Sequence, residues 1–197
     1  MGLAYRLMYL VGFSPWDGPI PQELKDSIEG EDKLPPGRAL DLGCGPGAKS
    51  VYMASHGWKV VGLDFVPRAL DKARARAQTA GVTIDFRKAD VTRLGELGLE
   101  PGFSFLFDFG CFHGLRDGQR AAYAEGVNRL AAPGARLLIM GFTKALPPVP
   151  SGISQAELEK RFPSWDFLWT HAVAMGGTNA MRRAEASWFS LSKTNTD

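Results

Sequence analysis

The amino-acid sequence predicts an α/β fold, in which helices cover both faces of a mostly parallel, seven-stranded sheet. The first observation is that short apolar runs of strand length alternate with helical segments between residues 38 and 142. Such alternation is typical of units that build parallel sheets with helices on both sides. The second is that the last two predicted strands are joined by only a short loop, so they must pair antiparallel. The sequence therefore predicts a doubly wound sheet with an antiparallel hairpin at its C-terminal edge.

Glycine and proline residues mark the ends of the predicted elements, and Pro133-Gly134 is expected to form a turn before the fifth strand. A short helix over 21–28 begins at Pro21 and ends near Gly30, before the first strand. The strands are predicted over residues 38–42, 58–63, 83–87, 103–107, 135–142, 165–175 and 184–192. The helices between them are predicted over residues 49–56, 67–80, 117–130 and 154–161, and Asp117 is the expected N-cap of its helix. No internal repeat is visible, so residues 1–197 are expected to form a single domain.

Composition narrows the range of functions. With 45% hydrophobic and 22% charged residues, the chain has an ordinary globular composition. The formal net charge is +2 with both signs interspersed, which does not favour nucleic acid as a partner. Two isolated cysteines suit a reducing compartment, so a cytoplasmic location is expected. The three histidines lie far apart in the sequence, and no metal site is expected.

The N-terminal residues 1–13 are strongly apolar. They are fewer than the roughly 20 residues that cross a bilayer, and Arg6 interrupts them, so stable insertion in a membrane is not expected. We expect residues 1–30 to form a helical lid that packs on the body of the protein and over its ligand.

The strongest functional signal is the segment over residues 40–47, Leu-Asp-Leu-Gly-Cys-Gly-Pro-Gly, between the first strand and the next helix. Gly43, Gly45 and Gly47 permit a tight turn and a close approach of the backbone to a ligand. The following helix adds unpaired N–H groups and partial positive charge at its N-terminus. A turn that only joins a strand to a helix would look similar, so this signal alone is weak.

Three acidic residues near strand ends make the signal more specific. Asp41 lies just before the glycines, Asp64 ends the second strand about 20 residues later, and Asp90 follows the third strand. Ligands of open parallel sheets bind at the carboxyl ends of the strands, so the three side chains are expected to converge there. Buried carboxylates need partners, and three of them on one rim indicate a ligand rich in hydrogen-bond donors.

With these acids in place, residues 40–142 resemble the class I S-adenosylmethionine (SAM)-dependent methyltransferases, which have a Rossmann-like fold. The resemblance implies that SAM is the cofactor, that S-adenosylhomocysteine is the product, and that the glycine turn wraps the methionine part of SAM. The other implied cofactor contacts are Asp41 near the ammonium group, Asp64 at the ribose, Asp90 at the adenine amino group, and Phe65 and Val91 as apolar walls of the adenine.

The N-terminal segment resembles one branch of this superfamily. Pro15-Trp16-Asp17, followed by Pro21-Gln22-Glu23-Leu24, is similar to a segment of small-molecule methyltransferases of the thiopurine, thiol and tellurite-resistance type. In that branch the segment closes over SAM, which implies that Trp16 contacts the cofactor. The spacer over residues 18–20 is shorter than usual, and packing in the core is an equally good interpretation of Trp16.

Asp108 and His113 are the candidate catalytic residues. They follow the fourth strand in a pattern that related enzymes carry at the acceptor wall, although Ser104 replaces the first Asp of that pattern. An imidazole titrates near neutral pH, so His113 could accept a proton from an acidic hydroxyl or thiol, with Asp108 as a weaker candidate. A histidine that only shapes the loop would look the same. Aromatic residues expected nearby favour an aromatic or sulfur-bearing acceptor, and the segment over residues 144–150 is expected to cap the same pocket. These aromatic residues are Phe13, Trp16, Phe109, Phe112, Phe142 and Trp165.

These features predict a monomeric or homodimeric enzyme that moves a methyl group from SAM to sulfur, oxygen or nitrogen of a small apolar molecule. Two alternatives stay open. A regulatory protein that binds SAM without catalysis would share the same cofactor residues. An NAD-dependent dehydrogenase would share the spacing of Gly43, Gly45 and Ala48, although it does not require Asp41 or Asp90.

Overall fold

A computed structural model describes residues 17–145, 149, 151–174 and 184–195. The predicted lid over residues 1–30 is therefore described only from residue 17, and Trp16 lies outside the described residues. In chain order the elements are α1 (Gln22–Glu29), β1 (Arg38–Leu42), α2 (Ala48–Ser55), β2 (Lys59–Asp64), α3 (Pro67–Thr79), β3 (Asp85–Lys88), β4 (Phe103–Phe109), α4 (Asp117–Leu130), β5 (Ala131–Phe142), α5 (Gln155–Arg161), β6 (Trp165–Ala174) and β7 (Glu185–Lys193). Short 3₁₀ segments, Val91–Glu96 and Phe112–Gly114, follow β3 and β4.

The seven strands form one sheet in the order β3-β2-β1-β4-β5-β7-β6. Strands β1 to β5 pair in parallel, and β7 pairs antiparallel with both β5 and β6. The predicted doubly wound sheet with an antiparallel C-terminal hairpin is therefore confirmed. From β1 the chain builds outward to β3 and then returns to the other side of β1 with β4. In sheets of this kind, the ligand crevice lies at such a reversal, outside the carboxyl ends of the two strands.

Two apolar clusters cover the two faces of the sheet. Leu40 and Leu106 belong to the cluster that packs against α4, whereas Ala39 and Phe105 belong to the cluster that packs against α1. Successive residues of β1 and β4 thus face opposite clusters, as the two-residue period of a strand requires. Because both faces are covered, polar side chains of these central strands reach solvent only at the strand ends. This geometry directs the functional side chains to one edge of the sheet.

Two strands are longer than the sequence predicts. Strand β4 continues to Phe109, so Asp108 lies inside the strand and not after it. Strand β5 begins at Ala131 and runs through Pro133 and Gly134, which were expected to form a turn before the strand. The pairing of β4 with β5 contains a register shift at this point, and such a bulge accommodates a proline and a glycine within a strand.

The start of α4 also differs from the prediction. Asp117 is the first helical residue, and the N-cap is Arg116. The backbone N–H of Arg116 donates to the side-chain oxygen of Gln119 at 3.1 Å, which closes the first turn. The Asp117 side chain is instead paired with Arg161 of α5. Among the helices of the described ranges, none combines the length and the hydropathy that a bilayer crossing requires.

Candidate active site

The described site residues that the sequence predicts all lie at or just after the carboxyl ends of four neighbouring strands. The glycine turn follows β1, Asp64 and Phe65 lie at the end of β2, Asp90 and Val91 follow β3, and Asp108 and His113 lie at and after the end of β4. Hydrogen bonds join the glycine turn and the segment after β3 to the end of β2, and the loop after β4 packs on the glycine turn at Cys111. The structure therefore brings the predicted residues to a single edge of the sheet.

The turn after β1 depends on its glycines. Gly43, Gly45 and Gly47 all have positive φ angles, of 80°, 53° and 79°. The N–H groups of Gly43 and Cys44 both donate to the carbonyl oxygen of Leu63 at 2.8 Å, which ties the turn to β2. At Gly47, an added Cβ would lie 2.7 Å from the Cβ of Ala73 on α3. Gly47 is therefore required both by the backbone conformation of the turn and by the close packing of α3 against it.

Asp64 connects the end of β2 to the glycine turn. Its Oδ2 accepts the N–H of Gly45 at 2.9 Å, and its Oδ1 accepts the N–H of Val66 at 2.8 Å. Burial raises the pKa of Asp64, and these backbone hydrogen bonds oppose the rise. The backbone N–H of Phe65 acts on the same carboxylate, and since a carboxylate has about four acceptor sites, it keeps acceptor capacity for a hydroxyl of a ligand.

Asp41 is more deeply enclosed, with 2% of its surface exposed. The hydroxyl of Ser50 on α2 donates to its Oδ2 at 2.5 Å. Burial raises the pKa of Asp41 to about 7, and the charges of Asp108 and Asp64 act in the same direction, while Ser50 and Lys49 oppose them. Near neutral pH this carboxyl is therefore close to half-protonated, and an approaching cation would favour its ionised form.

Lys49 is the site residue that the sequence did not reveal. It is 5% exposed, and it lines the same cleft as Asp41, Gly43 and Phe109. Its ammonium lies 4.7 Å from the centroid of the Phe109 ring and donates to the carbonyl oxygen of Gly18 at 3.4 Å. Burial lowers the pKa of Lys49, and Asp41 opposes this effect. The available signal was its position two residues after the last glycine of the turn, on the helix that begins there.

Asp90, Val91 and Phe65 form the side of the rim near β3. Asp90 is exposed, and its Oδ1 accepts both the N–H and the hydroxyl of Thr92, at 2.9 and 2.7 Å. Val91 is buried in the cluster under α4, whereas Phe65 keeps part of its ring exposed. An exposed carboxylate beside a partly exposed ring suits a flat ligand that carries an amino group.

Asp108 faces the interior of the protein. Its Oδ1 accepts the N–H of Cys111 at 2.6 Å, and its Oδ2 accepts the N–H of Phe112 at 3.0 Å and the hydroxyl of Tyr123 at 2.8 Å. The residue has no exposed surface, and burial raises its pKa to about 6. These contacts make Asp108 the anchor of the loop after β4.

His113 is held in this loop by a backbone hydrogen bond. The N–H of Phe142 donates to its Nδ1 at 3.1 Å, and the two rings stack with their centroids 4.8 Å apart. An added Cβ at Gly110 would lie 3.2 Å from Cε1 of His113, and one at Gly141 would lie 3.1 Å from Nδ1. The imidazole therefore fits between two glycine backbones. Burial lowers its pKa to about 4, and the charge of Arg120 adds to this effect.

Arg120 of α4 binds the loop that carries His113 through hydrogen bonds to its backbone. The residue is buried, and its guanidinium pairs with Glu157 of α5 at 2.7 Å. It also donates to four backbone carbonyl oxygens of two loops, at distances of 2.9 to 3.1 Å, which belong to His113, Leu115, Ser151 and Gly152. One buried cation thus joins the loop after β4 to the segment after β5.

Aromatic rings form the apolar wall of the cleft. Phe107 and Phe109 both line it, and their ring centroids lie 6.4 Å apart. Trp188 of β7 packs against Phe109 at 5.6 Å. Phe112 and Trp165 were also expected near the pocket, but both are buried in the cluster under α4. The segment over residues 144–150 was expected to cap the pocket, and it lies largely outside the described residues.

The start of the described chain is tied to the glycine turn. The guanidinium of Arg76 on α3 makes two hydrogen bonds to the carboxylate of Asp17, at 2.8 and 3.2 Å. The same guanidinium donates to the carbonyl oxygen of Pro46 at 3.0 Å. Asp17 also lines the cleft together with Lys49. These contacts hold the chain beside the cleft at Asp17, the first described residue.

Comparison with known proteins identifies methyltransferases as relatives of this chain. A family model described as a methyltransferase domain matches residues 39–134. A 2-heptyl-1-hydroxyquinolin-4(1H)-one methyltransferase of Mycobacteroides abscessus is 34% identical over 153 residues, which cover 74% of this chain and 65% of that protein. An uncharacterized methyltransferase of Schizosaccharomyces pombe is 30% identical over 105 residues, which cover 53% of this chain and 71% of the relative. The chain therefore spans just under two thirds of the mycobacterial relative.

Among solved structures, one described as "Conversion of a Disulfide Bond into a Thioacetal Group during Echinomycin Biosynthesis" superposes with a TM-score of 0.77. It is 25% identical in sequence, and the match covers 100% of this chain and 94% of the other. The similarity extends over the whole sheet, including the antiparallel hairpin.

Proposed function

Because the chain belongs to the class I SAM-dependent methyltransferase family, we propose that it transfers a methyl group from SAM to a small apolar acceptor. The observation that carries the proposal is the cleft beside the glycine turn, which is lined by the buried carboxyl of Asp41 and the buried ammonium of Lys49. The amino-acid end of SAM carries one ammonium and one carboxylate. The two side chains complement these charges, with Asp41 toward the ammonium and Lys49 toward the carboxylate.

The remaining predicted cofactor residues fit the same ligand. The carboxylate of Asp64 keeps acceptor capacity for a ribose hydroxyl beside the backbone N–H groups that it binds. Asp90 and Phe65 offer an acceptor and a ring face to an adenine, with Val91 behind them. Gly43, Gly45 and Gly47 let the backbone approach the methionine part. In this proposal Asp108 acts by shaping the loop that carries His113, because its oxygens are used inside the protein.

When bound, SAM supplies a methyl group activated by its sulfonium sulfur. The contribution of the protein is to align the acceptor with that methyl group and to keep water out. The partly exposed ring of Phe109, which packs on the buried rings of Phe107 and Trp188, supports an apolar, aromatic or sulfur-bearing acceptor. Its reacting atom would be sulfur, oxygen or nitrogen. The hydroxyquinolinone in the name of the mycobacterial relative is an aromatic compound of this kind.

The proposal includes a single domain in which residues 1–30 form a lid over the cleft. Asp17 binds Arg76, and the carbonyl oxygen of Gly18 accepts from Lys49, so the chain enters the described structure beside the cleft. This placement supports a role for Trp16 as a cofactor contact.

Calorimetric titration of the purified protein with SAM, S-adenosylhomocysteine and NAD tests the proposal. We expect binding of the first two and none of NAD. Binding of NAD alone would contradict the proposal and favour a dehydrogenase. A screen of aromatic thiols and phenols for methylated product then separates an enzyme from a regulatory protein that only binds SAM.

The Lys49→Met variant tests the assignment of the cofactor carboxylate. Loss of the ammonium should weaken S-adenosylhomocysteine binding about 10- to 100-fold, the range expected for one charge-assisted hydrogen bond. The affinity for 5′-methylthioadenosine, which lacks the amino-acid end, should not change. Lys72→Met on the exposed side of α3 is the matched control. Equal weakening of both ligands would show that Lys49 shapes the cleft and does not bind the carboxylate.

A further inference from the structure

The position of the proton on His113 follows from its contact with β5. The N–H of Phe142 donates to Nδ1 at 3.1 Å. A ring nitrogen that accepts a hydrogen bond from an N–H group does not itself carry a proton, so the neutral ring is protonated at Nε2. Nε2 is therefore a hydrogen-bond donor. To act as a base, the ring would have to take a proton on Nδ1, where the Phe142 backbone lies.

The charged groups around the ring favour the neutral form. Arg120 on α4 donates to the His113 carbonyl oxygen, and Glu157 on α5 is paired with Arg120. Asp108, earlier in the same loop, points its oxygens toward Tyr123 and two loop N–H groups. With a pKa lowered to about 4 by burial, the imidazole of His113 is uncharged at neutral pH. Neither of the two predicted catalytic residues is thus available as a base.

Nε2 of His113 keeps contact with solvent, in a loop that borders the cleft. Nε2 makes no hydrogen bond to another described residue. The described polar atoms that are fully buried without a partner do not include it, so part of its surface is exposed. The loop that carries it packs directly on the glycine turn, because an added Cβ at Gly43 would lie 3.2 Å from the Cβ of Cys111. The loop of His113 therefore borders the cleft at the glycine turn.

We infer that His113 donates an Nε2–H hydrogen bond to the acceptor atom, and that the site takes acceptors that arrive as anions. The chemical class is thiolates and the oxyanions of acidic aromatic hydroxy or N-hydroxy compounds. The inference rests on the proposed methyl transfer. A lone pair of the anion forms the bond to the methyl carbon, and the carbon–sulfur bond of the sulfonium breaks with its electron pair left on sulfur. A cation and an anion give two neutral products, and no proton is transferred to the protein.

The hydrogen bond affects binding more than the chemical step. It stabilises the full negative charge of the bound acceptor, whereas in the transition state that charge is already partly neutralised. An interaction that is stronger in the ground state lowers KM without raising kcat. Loss of the donor should therefore raise KM for the acceptor, and loss of a base would instead lower kcat with acceptors that arrive protonated.

Two substitutions at position 113 separate these roles. Gln carries an acceptor for the Phe142 N–H and an adjacent N–H donor, but it cannot act as a base, whereas Phe keeps a ring that stacks on Phe142 without either group. With a thiophenolate acceptor we expect His113→Phe to raise KM about 10- to 100-fold with kcat within a few-fold of wild type. His113→Gln should stay close to wild type in both. Unchanged S-adenosylhomocysteine affinity verifies the fold of each variant. If kcat falls as far in the Gln variant as in the Phe variant, the inference is wrong.

The pH dependence gives a second test with wild-type protein. With SAM saturating, kcat/KM is measured for a nitro-substituted and a methoxy-substituted thiophenol, which differ in the pKa of the thiol. The inflection should move with the acceptor and match its own pKa in water. One shared inflection, with normal S-adenosylhomocysteine binding, would identify a base on the protein and overturn the inference alone. Failure of both cofactor binding and turnover would refute the proposed function as well.

A third readout does not depend on activity. Long-range ¹H–¹⁵N NMR correlations report which imidazole nitrogen carries the proton, and His113→Gln assigns the His113 signal among the three histidines. We expect the Nε2–H tautomer, unchanged between about pH 6 and pH 8. The Nδ1–H tautomer, or a titration within this range, would overturn the inference.

Discussion

At the scale of single residues, the enclosed carboxyl of Asp41 couples ligand binding to proton binding. Its pKa is raised to about 7 because it is buried, and its hydroxyl partner Ser50 offsets this only in part. A bound ammonium would stabilise the ionised form. Below neutral pH, ligand binding at Asp41 must therefore be accompanied by release of a proton.

From this coupling we expect S-adenosylhomocysteine to bind about tenfold more weakly at pH 6 than at pH 8. Asp41→Asn should bind it more weakly at both pH values and without this pH dependence, because the titrating group is gone. Calorimetric titrations across the range measure both effects. A wild-type affinity that does not change with pH would show that Asp41 does not contact the ammonium.

Burial explains which single-residue predictions the sequence could not make. Asp41 and Asp64 were assigned from their places at strand ends, which fix the edge of the sheet on which they lie. Lys49 was missed because a lysine on a helix is normally solvated, and only the packing of Phe109 and the chain at Gly18 encloses it. The orientation of His113 depends on a contact with β5, which is distant in sequence and leaves no local pattern.

At the scale of elements, the turn after β1 requires glycine at position 47 for two separable reasons. Gly47 has a positive φ, and an added Cβ would also collide with Ala73 at 2.7 Å. Gly81, at the end of α3, has a positive φ of 67° but open space around its Cβ. The pair therefore distinguishes backbone strain from a steric clash.

We expect Gly81→Ala to lower the free energy of unfolding by about 1 kcal/mol, the cost of a left-handed backbone alone. Gly47→Ala should lower it by about 2–4 kcal/mol, because overpacking adds to that strain. Urea denaturation of the two variants measures both values. Equal losses would mean that α3 moves away from the turn at little cost.

The junction of the loops after β4 and β5 depends on Arg120. Its planar guanidinium binds a carboxylate and four carbonyl oxygens, which the single ammonium of a lysine cannot reproduce. We expect Arg120→Met to lower the free energy of unfolding by about 3–5 kcal/mol, since it leaves four backbone carbonyl groups without their partner and Glu157 with Arg161 alone. Arg120→Lys should recover less than half of this loss.

The control for this measurement is Arg129→Met on the same helix. Arg129 is exposed and donates to the carbonyl oxygen of Leu94 at 2.9 Å, so its loss should cost less than about 1 kcal/mol. Chemical denaturation of the variants gives the comparison. A loss in Arg120→Met no larger than in the control would show that the two loops hold their positions without the buried guanidinium.

Local signals predicted the helices better than the strand ends. Pro67 and Gly81 bracket α3, and the structure begins and ends this helix within one or two residues of the predicted positions. Strand β5 was predicted to begin after Pro133 and Gly134, which normally interrupt strands. The register shift in its pairing with β4 accommodates them, and that shift is a property of two strands together.

At the scale of the whole molecule, three buried carboxyl groups on one rim impose a cost on the folded state. Burial raises the pKa values of Asp41, Asp64 and Asp108, so between about pH 4 and 7 the folded protein holds protons that the unfolded chain has lost. His113 acts in the opposite direction, because its pKa is lowered to about 4 and the unfolded chain holds the extra proton. The three carboxyl groups outnumber the one histidine, so the free energy of unfolding falls as the pH rises from about 4 to about 7.

Removing one of these charges should therefore stabilise the protein. Relative to wild type, we expect Asp41→Asn to gain stability progressively from about pH 4 to pH 7, reaching roughly 2 kcal/mol or more at pH 8. Thermal and urea unfolding at several pH values give the difference. A gain that does not depend on pH would mean that packing, and not the charge, is responsible.

The parallel sheet and its antiparallel edge hairpin followed from the order of the predicted elements, whereas the position of β7 between β5 and β6 was not predicted. The assignment of the acceptor side did not follow from this order either. Phe112 and Trp165 look like pocket residues in the sequence, and only the packing of α4 and α5 against the sheet places them in the core.

In the strand order β3-β2-β1-β4-β5-β7-β6, the two halves of one sheet carry different parts of the proposed site. The residues assigned to the cofactor follow β1, β2 and β3, while the aromatic wall and His113 come from β4, β5 and β7. Each half is nearly continuous in sequence, so the acceptor half can be replaced or changed during evolution without changes in the cofactor half. Members of this family can therefore keep the same methyl donor and differ in the methyl acceptor. A chimera that joins residues 1–102 to the corresponding second half of a relative should acquire the acceptor preference of that relative.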